Sequence, residues 1–320
     1  MKCSRSSWWL CSLVLGALLL LVAAVQLLHP VSGGGGWCLP GEPLRSFRLV
    51  RLGGGVLVGA ALALAGMLFQ TLFRNPLADS YLLGVSHGSA LGAAGFLLWG
   101  IAFLPPQWMP LFAFLGGVAA LALVLGLSGR DDSPQRLILH GVVVSAILSG
   151  ILVCLLSQSD VVELAGITWW MLGDLQSVPP EMLPLLGVGT ALLAILALFW
   201  SNGLDALSLG EENAVALGVP VRWMRWCLLA GGALLAALCV STAGILSFVG
   251  LIVPHALRQL LGASTRRLLL PVLLGGAAFL TLCDLLSTLS HPVRPIPVGV
   301  LTALAGGVFL LAALHRRTQP

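Results

Sequence analysis

The feature that most constrains this chain is a succession of apolar runs about 20 residues long, separated by short polar breaks. A helix of about 20 apolar residues spans a bilayer, whereas outer-membrane barrels alternate apolar and polar residues in segments of about 10. Charged residues make up only 9% of the 320, against about 25% in soluble domains. The sequence therefore predicts an all-α, polytopic membrane protein with one transmembrane domain over 1–320. The ten predicted spans are 8–28, 52–73, 81–103, 108–127, 137–157, 183–200, 224–243, 245–261, 268–289 and 297–314.

The first run follows Lys2 and Arg5, an arrangement that secretory signal peptides share. Its apolar core, 8–28, is longer than the roughly 7–15 residues of a signal, and no small-residue cleavage site follows it. We expect this run to be retained as the first transmembrane helix.

Charge placement predicts the topology. With a cytoplasmic N-terminus, all but four of the 16 Lys and Arg residues fall on the cytoplasmic side, as the positive-inside rule requires. The ten tryptophans lie near the ends of predicted spans, where aromatic belts form. We therefore expect both termini in the cytoplasm. The four outer arginines are Arg45, Arg48, Arg51 and Arg294.

The segment 204–223 does not fit a membrane span, because Asp205, Glu211 and Glu212 interrupt its apolar positions. Its pattern predicts one or two short amphipathic helices on the cytoplasmic side. A solvated connector is the plainer interpretation. Its length exceeds the roughly 2–8 residues usual between bundle helices, which favours a functional role.

Small residues recur at helical spacing, as in Gly84, Gly88 and Gly92. Such patterns let helix backbones approach closely. Tight packing is the expected role, and a pore lining is the alternative.

Several chemistries are excluded or disfavoured. Lys2 is the only lysine, so the chain has no GxxxxGK[ST] loop and does not hydrolyse ATP itself. The seven cysteines contain no CxxC pair and suggest neither a metal site nor a disulfide framework. Ionisable groups within the spans are few, which disfavours an ion-coupled carrier. A transporter of this kind takes its energy from another subunit; a secondary transporter driven by an ion gradient and a structural membrane protein remain alternatives.

Four long stretches carry a family resemblance: "GAALALAGMLFQTLFRNPLADSYLLGVSHGSALGA" (59–93), "LGEENAVALGV" (209–219), "STAGILSFVGLIVPHALRQLLGASTRRLLLP" (241–271), and "CDLLSTL" with "IPVGVLTALAGGVFLLAAL" (283–289, 296–314). Over about 45–314 the chain resembles the FecCD-like permease subunits of type II ABC importers for iron–siderophore, haem and vitamin B12.

The resemblance implies ten helices per subunit and a pathway between two permease subunits, as in a homodimer, in the bacterial inner membrane. It implies two partner subunits that bind ATP and Mg, and a periplasmic or lipid-anchored substrate-binding protein. The only other expected partner is membrane lipid, with no nucleic acid. No cofactor or metal is expected on this chain. Among chelates, iron–siderophore is expected first, with haem or cobalamin next.

The resemblance also implies where the binding protein docks. Arg48 and Arg51 in "RLVR" match the family's outward R-x-P-R, and Arg45 and Arg294 are further outer charges. Contacts of these arginines with lipid headgroups are the alternative. The sequence departs from the family pattern at Val50, Thr288 and Pro295.

Further residues are assigned by the resemblance to coupling, to a cytoplasmic gate and pathway, and to a structural motif. His255 is expected to be a structural hydrogen-bonding residue at a helix start, while substrate contact by His87 or His140 is a minority alternative. Asp79 or Ser80 is expected to cap the third span, and Arg74 the second. The ATPase-coupling residues are Leu209, Gly210, Glu211, Glu212, Ala214, Leu217, Gly218, Val219 and Pro220. The gate and pathway residues are Asn75, Pro76, Leu77, Ala78, Asp79, His140, Ser145 and Ser149. The structural motif is Gly244, Phe248, Gly250, Pro254 and His255.

Overall fold

The computed structural model describes residues 7–29, 41–100, 103–128, 133–262, 264–290 and 295–317. Arg294 lies outside these residues. Within them the chain is built from helices and contains no β-strand. The α-helices are α1 (Ser7–Leu28), α2 (Leu44–Leu72), α3 (Val85–Gly95), α4 (Met109–Ser128), α5 (Pro134–Ser157), α6 (Val161–Met171), α7 (Met182–Phe199), α8 (Ser201–Ser208), α9 (Glu211–Ala216), α10 (Val221–Ala243), α11 (Val249–Leu261), α12 (Thr265–Ser290) and α13 (Val298–Arg317).

Each of the ten predicted spans corresponds to a helix. Seven helical segments of the described chain are long and apolar enough to cross a membrane: α1, α2, α4 with the turn before it, α5, α7, α10 and α12. The other three spans are α3, which a π-helical segment extends over Phe96–Gly100, and the shorter α11 and α13.

Helix α6 was not predicted. Its 11 residues reach roughly 16 Å, about half the thickness of a membrane core. A capping box starts it: the Asp160 side chain accepts from the N3 backbone, and the Asp160 N–H donates to Glu163 Oε2 at 3.2 Å. The acidic "DVVEL" segment is therefore the start of a short helix rather than a plain loop.

Three helices, α2, α3 and α11, start four or more residues from their predicted starts, and α3 starts at Val85 rather than 81. Helix α2 begins at Leu44, eight residues before the predicted start of its span at 52, so its first two turns are helical although three arginines make them polar. Helix α11 begins at Val249 rather than 245 because Gly244 (φ +73°) and Phe248 (φ +67°) adopt backbone conformations that end a helix.

The core is centred on α2, whose residues from Val58 to Leu72 are all buried. Glycines permit its closest contacts, since a Cβ on Gly59 would collide with the Gly276 carbonyl of α12. A Cβ on Gly66 would likewise collide with the Gly250 backbone of α11. Gly88 of α3 meets Gly116 of α4 in the same way. The predicted packing role of the spaced glycines is confirmed at these crossings.

The bundle has two faces. Helices α8 and α9 lie between the end of α7 and the start of α10 and define the α8–α9 face. Following the chain through successive crossings, α6 and the starts of α2, α4, α7 and α13 lie on the opposite face.

Candidate functional site

A cavity of about 850 Å³ lies at the opposite face. Its walls come from α6, the loop after α6, the ends of α10 and α12, and the start of α13. We call it the Asp174 cavity, after the one charged side chain among its described lining residues. Trp169, Trp170, Thr242 and Ser287 also line it. The mixture of indole faces and hydroxyl groups suits a bulky ligand with both apolar and polar surface.

The loop after α6 is fixed against the end of α10. The Asp174 N–H donates to the Ala243 carbonyl at 2.9 Å, and the Asp174 carboxylate accepts from the Gln176 N–H at 2.8 Å and the Ser177 hydroxyl at 3.0 Å. Gly244 (φ +73°) packs so closely that a Cβ would collide with the Trp170 carbonyl. A movement of α10 therefore bears directly on the cavity wall.

The predicted amphipathic segment forms two helices, α8 and α9, which confirms that part of the prediction. Leu204 and Leu207 of α8 are fully buried, and Asp205 Oδ1 accepts from the Thr265 N–H of α12 at 2.7 Å. Helix α8 is thus held firmly against the bundle.

Helix α9 is less embedded. It lies between Gly210 (φ +135°) and Gly218 (φ +77°), in conformations that favour glycine. Leu209 and Leu217 are 75% and 73% exposed, whereas Ala214 is buried. Glu212, Val219 and Pro220, also assigned to coupling, are exposed or half-buried beside them. Apart from Ala214, the residues assigned to coupling therefore form one largely exposed surface with two large apolar side chains.

Two of the arginines assigned to docking are engaged within the chain. Arg51 Nε and Nη2 donate to the Asp284 carboxylate of α12 at 2.8–3.1 Å, and the two side chains are 12% and 1% exposed. Arg48 Nη1 donates to backbone carbonyls at the end of α1, including that of Leu27 at 2.8 Å. Arg45 is exposed. Of these three, Arg45 is the most accessible to a docking protein.

Thr288 and Pro295, two of the residues at which the sequence departs from the family pattern, lie on the same face as these arginines. The Thr288 hydroxyl donates to the Asp284 carbonyl within α12 at 2.9 Å. Pro295 lines the Asp174 cavity.

The loop from Asn75 to Gly84 returns the chain into the bundle. Asn75 Oδ1 accepts from the Leu77 N–H at 3.0 Å, forming a tight turn in which Leu77 is exposed and Ala78 is buried. Pro76, half-buried, lies in the same turn.

Of the two capping expectations for this loop, the one for the start of the third span is wrong. Helix α3 begins at Val85 after Gly84 (φ +77°), and Asp79 Oδ1 accepts from the Ser80 N–H at 2.7 Å, five residues before the helix. Neither side chain caps α3, because the chain stays non-helical between them and its start. The expectation that Arg74 caps α2 is confirmed through its backbone: with φ +50° its N–H donates to the Thr71 carbonyl at 3.2 Å, and the Asn75 N–H donates to the Gln70 carbonyl at 3.1 Å.

The residues of α5 that the resemblance assigns to the pathway pack near this loop. Gly84 lies against Ser145, and a Cβ on Gly141 would collide with the Leu82 carbonyl. His140 Nδ1 lies 2.9 Å from the Ser128 hydroxyl of α4. Ser149 lies half-buried one turn beyond Ser145. The structure therefore brings the start of α5 onto the loop, with His140 bonded between helices.

The structural motif surrounds α11. Phe248, although not glycine, has φ +67°, and its ring fills the space where a side chain on Gly306 of α13 would lie. Pro254 lies within α11. His255 is buried in the middle of α11, with Nε2 2.9 Å from Gln259 Nε2. The expected position of His255 at a helix start is wrong, because α11 starts six residues earlier.

Sequence reasoning missed two parts of this arrangement. The first is α6 with Trp170 and Asp174, for which the D-x-x-E capping box at 160–163 was the available signal. The second is Arg225 of α10, whose Nη2 lies 2.7 Å from Glu211 Oε2 of α9. No group of three His, Cys, Asp or Glu residues in the described ranges is placed to hold a metal ion.

A polytopic helical bundle with a cavity at one face and an exposed helical surface at the other is an arrangement that membrane transport proteins have. The sequence model of the FecCD transport family matches residues 41–316, and the chain belongs to this family. It is 38% identical to the Fe(3+) dicitrate transport system permease protein FecD of Escherichia coli K12, over 85% of each chain. It is 36% identical to the vitamin B12 import system permease protein BtuC of Klebsiella pneumoniae, over 98% of this chain and 95% of that one.

A solved structure agrees with this assignment. An inward-facing protein described as a metal-chelate type ABC transporter superposes with a TM-score of 0.86 at 31% identity, covering 97% of this chain and 99% of that one. The predicted membership of the FecCD-like permeases is confirmed, and so is the all-α polytopic fold with about ten spans. The chain is a multi-pass membrane transport subunit.

Proposed function

We propose that this chain is the permease subunit of an ATP-driven, binding-protein-dependent importer of a metal chelate in the bacterial inner membrane. An iron–siderophore is the first expected cargo, followed by haem or cobalamin. ATP hydrolysis takes place on a separate subunit that binds ATP and Mg. The α8–α9 face is cytoplasmic, with both termini on that side.

The observation that carries this proposal is the placement of two sites at the two ends of α10. At its start, α10 bonds to the exposed α9 through Arg225 and Glu211. At its end, Thr242 lines the Asp174 cavity, and Ala243 accepts the hydrogen bond from Asp174. A continuous helix of 23 residues connects them. A push on α9 by an ATPase thus has a direct route to the cavity where a chelate enters.

The exposed surface around Leu209 and Leu217 suits a groove on the ATPase, because large exposed apolar side chains on a solvent-facing loop mark a protein contact. Two copies of the permease enclose the pathway, with Asn75–Asp79, His140, Ser145 and Ser149 at its cytoplasmic end. A substrate-binding protein docks on the opposite face, with Arg45 as its most accessible arginine and Arg48 and Arg51 beneath it.

The test is uptake into proteoliposomes. The chain is co-expressed with its ATPase and reconstituted with ATP trapped inside. Its binding protein, loaded with a radioactive iron–siderophore, is supplied from outside. Uptake is expected to require hydrolysable ATP and to persist when a protonophore collapses the ion gradient. Uptake that needs no ATP and stops with the protonophore would establish the secondary-transporter alternative.

Cargo is assigned in the same assay. The binding protein is loaded in turn with an iron–siderophore, haem or cobalamin, and the cargo is the one that drives uptake. If the chain purifies without an ATPase or a binding protein and supports no uptake, the structural alternative would be favoured.

A further inference from the structure

A second concave site lies on the α8–α9 face, away from the transport residues. This interfacial cleft, about 700 Å³, is lined by Trp8 and Trp9 at the start of α1, Leu198 at the end of α7, and Arg266 and Arg267 in the first turn of α12. All three helices are long and apolar enough to span the membrane. The cleft therefore opens between transmembrane helices at the level where they leave the bilayer.

The charged side chains that line the cleft are all positive. Arg266 and Arg267 are both exposed, and among the described residues neither guanidinium forms an ion pair with a carboxylate within 4 Å. The described lining contains two arginines and no acid. Guanidinium groups bind phosphate oxygens through paired hydrogen bonds. The cleft thus has the chemistry of a phosphate site.

The rest of the lining is that of a lipid contact. Trp8 and Trp9 lie with ring centroids 3.9 Å apart, and indoles favour the membrane interface, where one edge is wet and the other apolar. Above the cleft, α1 presents Leu13 and Leu20 outward, each about 70% exposed. Acyl chains can lie along this helix while the headgroup occupies the cleft.

We propose that the interfacial cleft binds the headgroup of an anionic phospholipid, with Arg266 and Arg267 holding its phosphate. Basic pockets between transmembrane helices on the cytoplasmic side recognise such headgroups. A headgroup with two phosphates engages both arginines at once. This site is made by the chain alone and does not depend on the proposed transport function.

The cleft lies next to the contact that fixes α8. The Thr265 N–H, one residue before Arg266, donates to Asp205 of α8 at 2.7 Å. A bound lipid therefore supports the first turn of α12 and, through it, α8.

The test uses the full-length chain purified in detergent, with any subunits it retains, and measures lipid retention by native mass spectrometry. Cardiolipin is expected to be retained, and phosphatidylethanolamine to be lost under the same activation. In the double variant Arg266→Gln/Arg267→Gln, cardiolipin affinity is expected to fall about tenfold or more. The control Arg74→Gln/Arg222→Gln removes the same charge from exposed arginines outside the cleft and is expected to stay within about twofold.

Three results would overturn the proposal. Equal retention of phosphatidylethanolamine by the unmodified chain would show a non-specific lipid annulus, and that comparison requires no variant. Unchanged cardiolipin affinity in the cleft variant would place the lipid elsewhere. Displacement of cardiolipin by millimolar inorganic phosphate would show a free-anion site rather than a lipid site.

Discussion

Glu211 of α9 and Arg225 of α10 form an ion pair with 2.7 Å between Oε2 and Nη2, which joins an exposed carboxylate to a buried guanidinium. Their side chains are 46% and 4% exposed. Because α9 lies between two glycines with positive φ, its backbone connections are compliant. The ion pair therefore makes α10 the helix that responds when α9 moves.

We predict that Glu211→Gln uncouples ATP hydrolysis from transport. The amide keeps the shape of the side chain but weakens its hold on Arg225, so α9 moves without moving α10. Uptake per ATP hydrolysed is expected to fall about fivefold or more, roughly 1 kcal/mol of coupling, while the ATPase still co-purifies. The measurement is simultaneous uptake and phosphate release in proteoliposomes.

The matched control for this pair is Glu212→Gln. Glu212 is adjacent and exposed, and the described residues give it no ion pair within 4 Å. Its uptake per ATP is expected to remain within about twofold of the unmodified value. Equal effects of the two substitutions would show that the Glu211–Arg225 pair has no special role in coupling. Loss of the ATPase from the Glu211 variant would show that Glu211 serves to bind the ATPase.

The Arg51–Asp284 pair predicts a stability effect. Removing one partner of a buried ion pair leaves an uncompensated charge, at a cost of about 3–5 kcal/mol. Asp284→Asn should therefore lower the thermal unfolding temperature in detergent markedly. Asp174→Asn removes a more exposed carboxylate on the same face and should change it little. If Asp284→Asn unfolds at the unmodified temperature, the pair does not stabilise the fold.

The close contact at Gly66 predicts that a methyl group added at this helix crossing lowers the stability of the fold. Gly66→Ala places a Cβ against the Gly250 backbone, and such overpacking costs about 1–3 kcal/mol. Gly126→Ala in α4 adds the same methyl group where no other atom lies within 4 Å, so it should be neutral or slightly stabilising. Thermal unfolding of the two variants side by side measures the difference, and similar unfolding temperatures would contradict the close packing of α2 on α11.

Leu77→Trp tests the proposed gate. Leu77 is 44% exposed in the Asn75 turn, so a larger ring is accommodated without disturbing the core. We expect normal amounts of assembled complex with uptake reduced about tenfold, or about 1.4 kcal/mol in barrier height. Leu123→Trp, on a similarly exposed position of α4, should transport normally. Loss of assembly in the Leu77 variant, with no separate effect on uptake, would reduce the turn to a structural connection.

Much of the architecture could be predicted from sequence because membrane spans are local features. An apolar run predicts each span, and mixed polarity with acids at 205, 211 and 212 is enough to predict the short helices α8 and α9 between two spans. Helix α6 was missed because its run of 11 residues is too short to stand out by hydropathy. Its capping box, formed by Asp160 and Glu163, is also a local pattern and could have been recognised in the sequence.

The ion pairs were less accessible from sequence. Arg51 and Asp284 are separated by 233 residues, and no local pattern specifies which helices meet. The pairing follows from how α2 and α12 cross at Gly59 and Gly276. For the same reason, sequence assigned Arg51 to an outer docking surface without revealing its partner inside the bundle.

The most direct measurement of the central claim is ATP hydrolysis by the detergent-purified complex of this chain with its ATPase, with and without chelate-loaded binding protein. The account predicts that the ATPase co-purifies with the chain and that loaded binding protein stimulates hydrolysis severalfold. It also predicts that Glu211→Gln retains the hydrolysis but loses most of the coupled uptake. Two results would contradict the assignment as a permease of an ATP-driven importer. In one, no ATPase co-purifies with the chain; in the other, loaded binding protein does not change the rate of ATP hydrolysis.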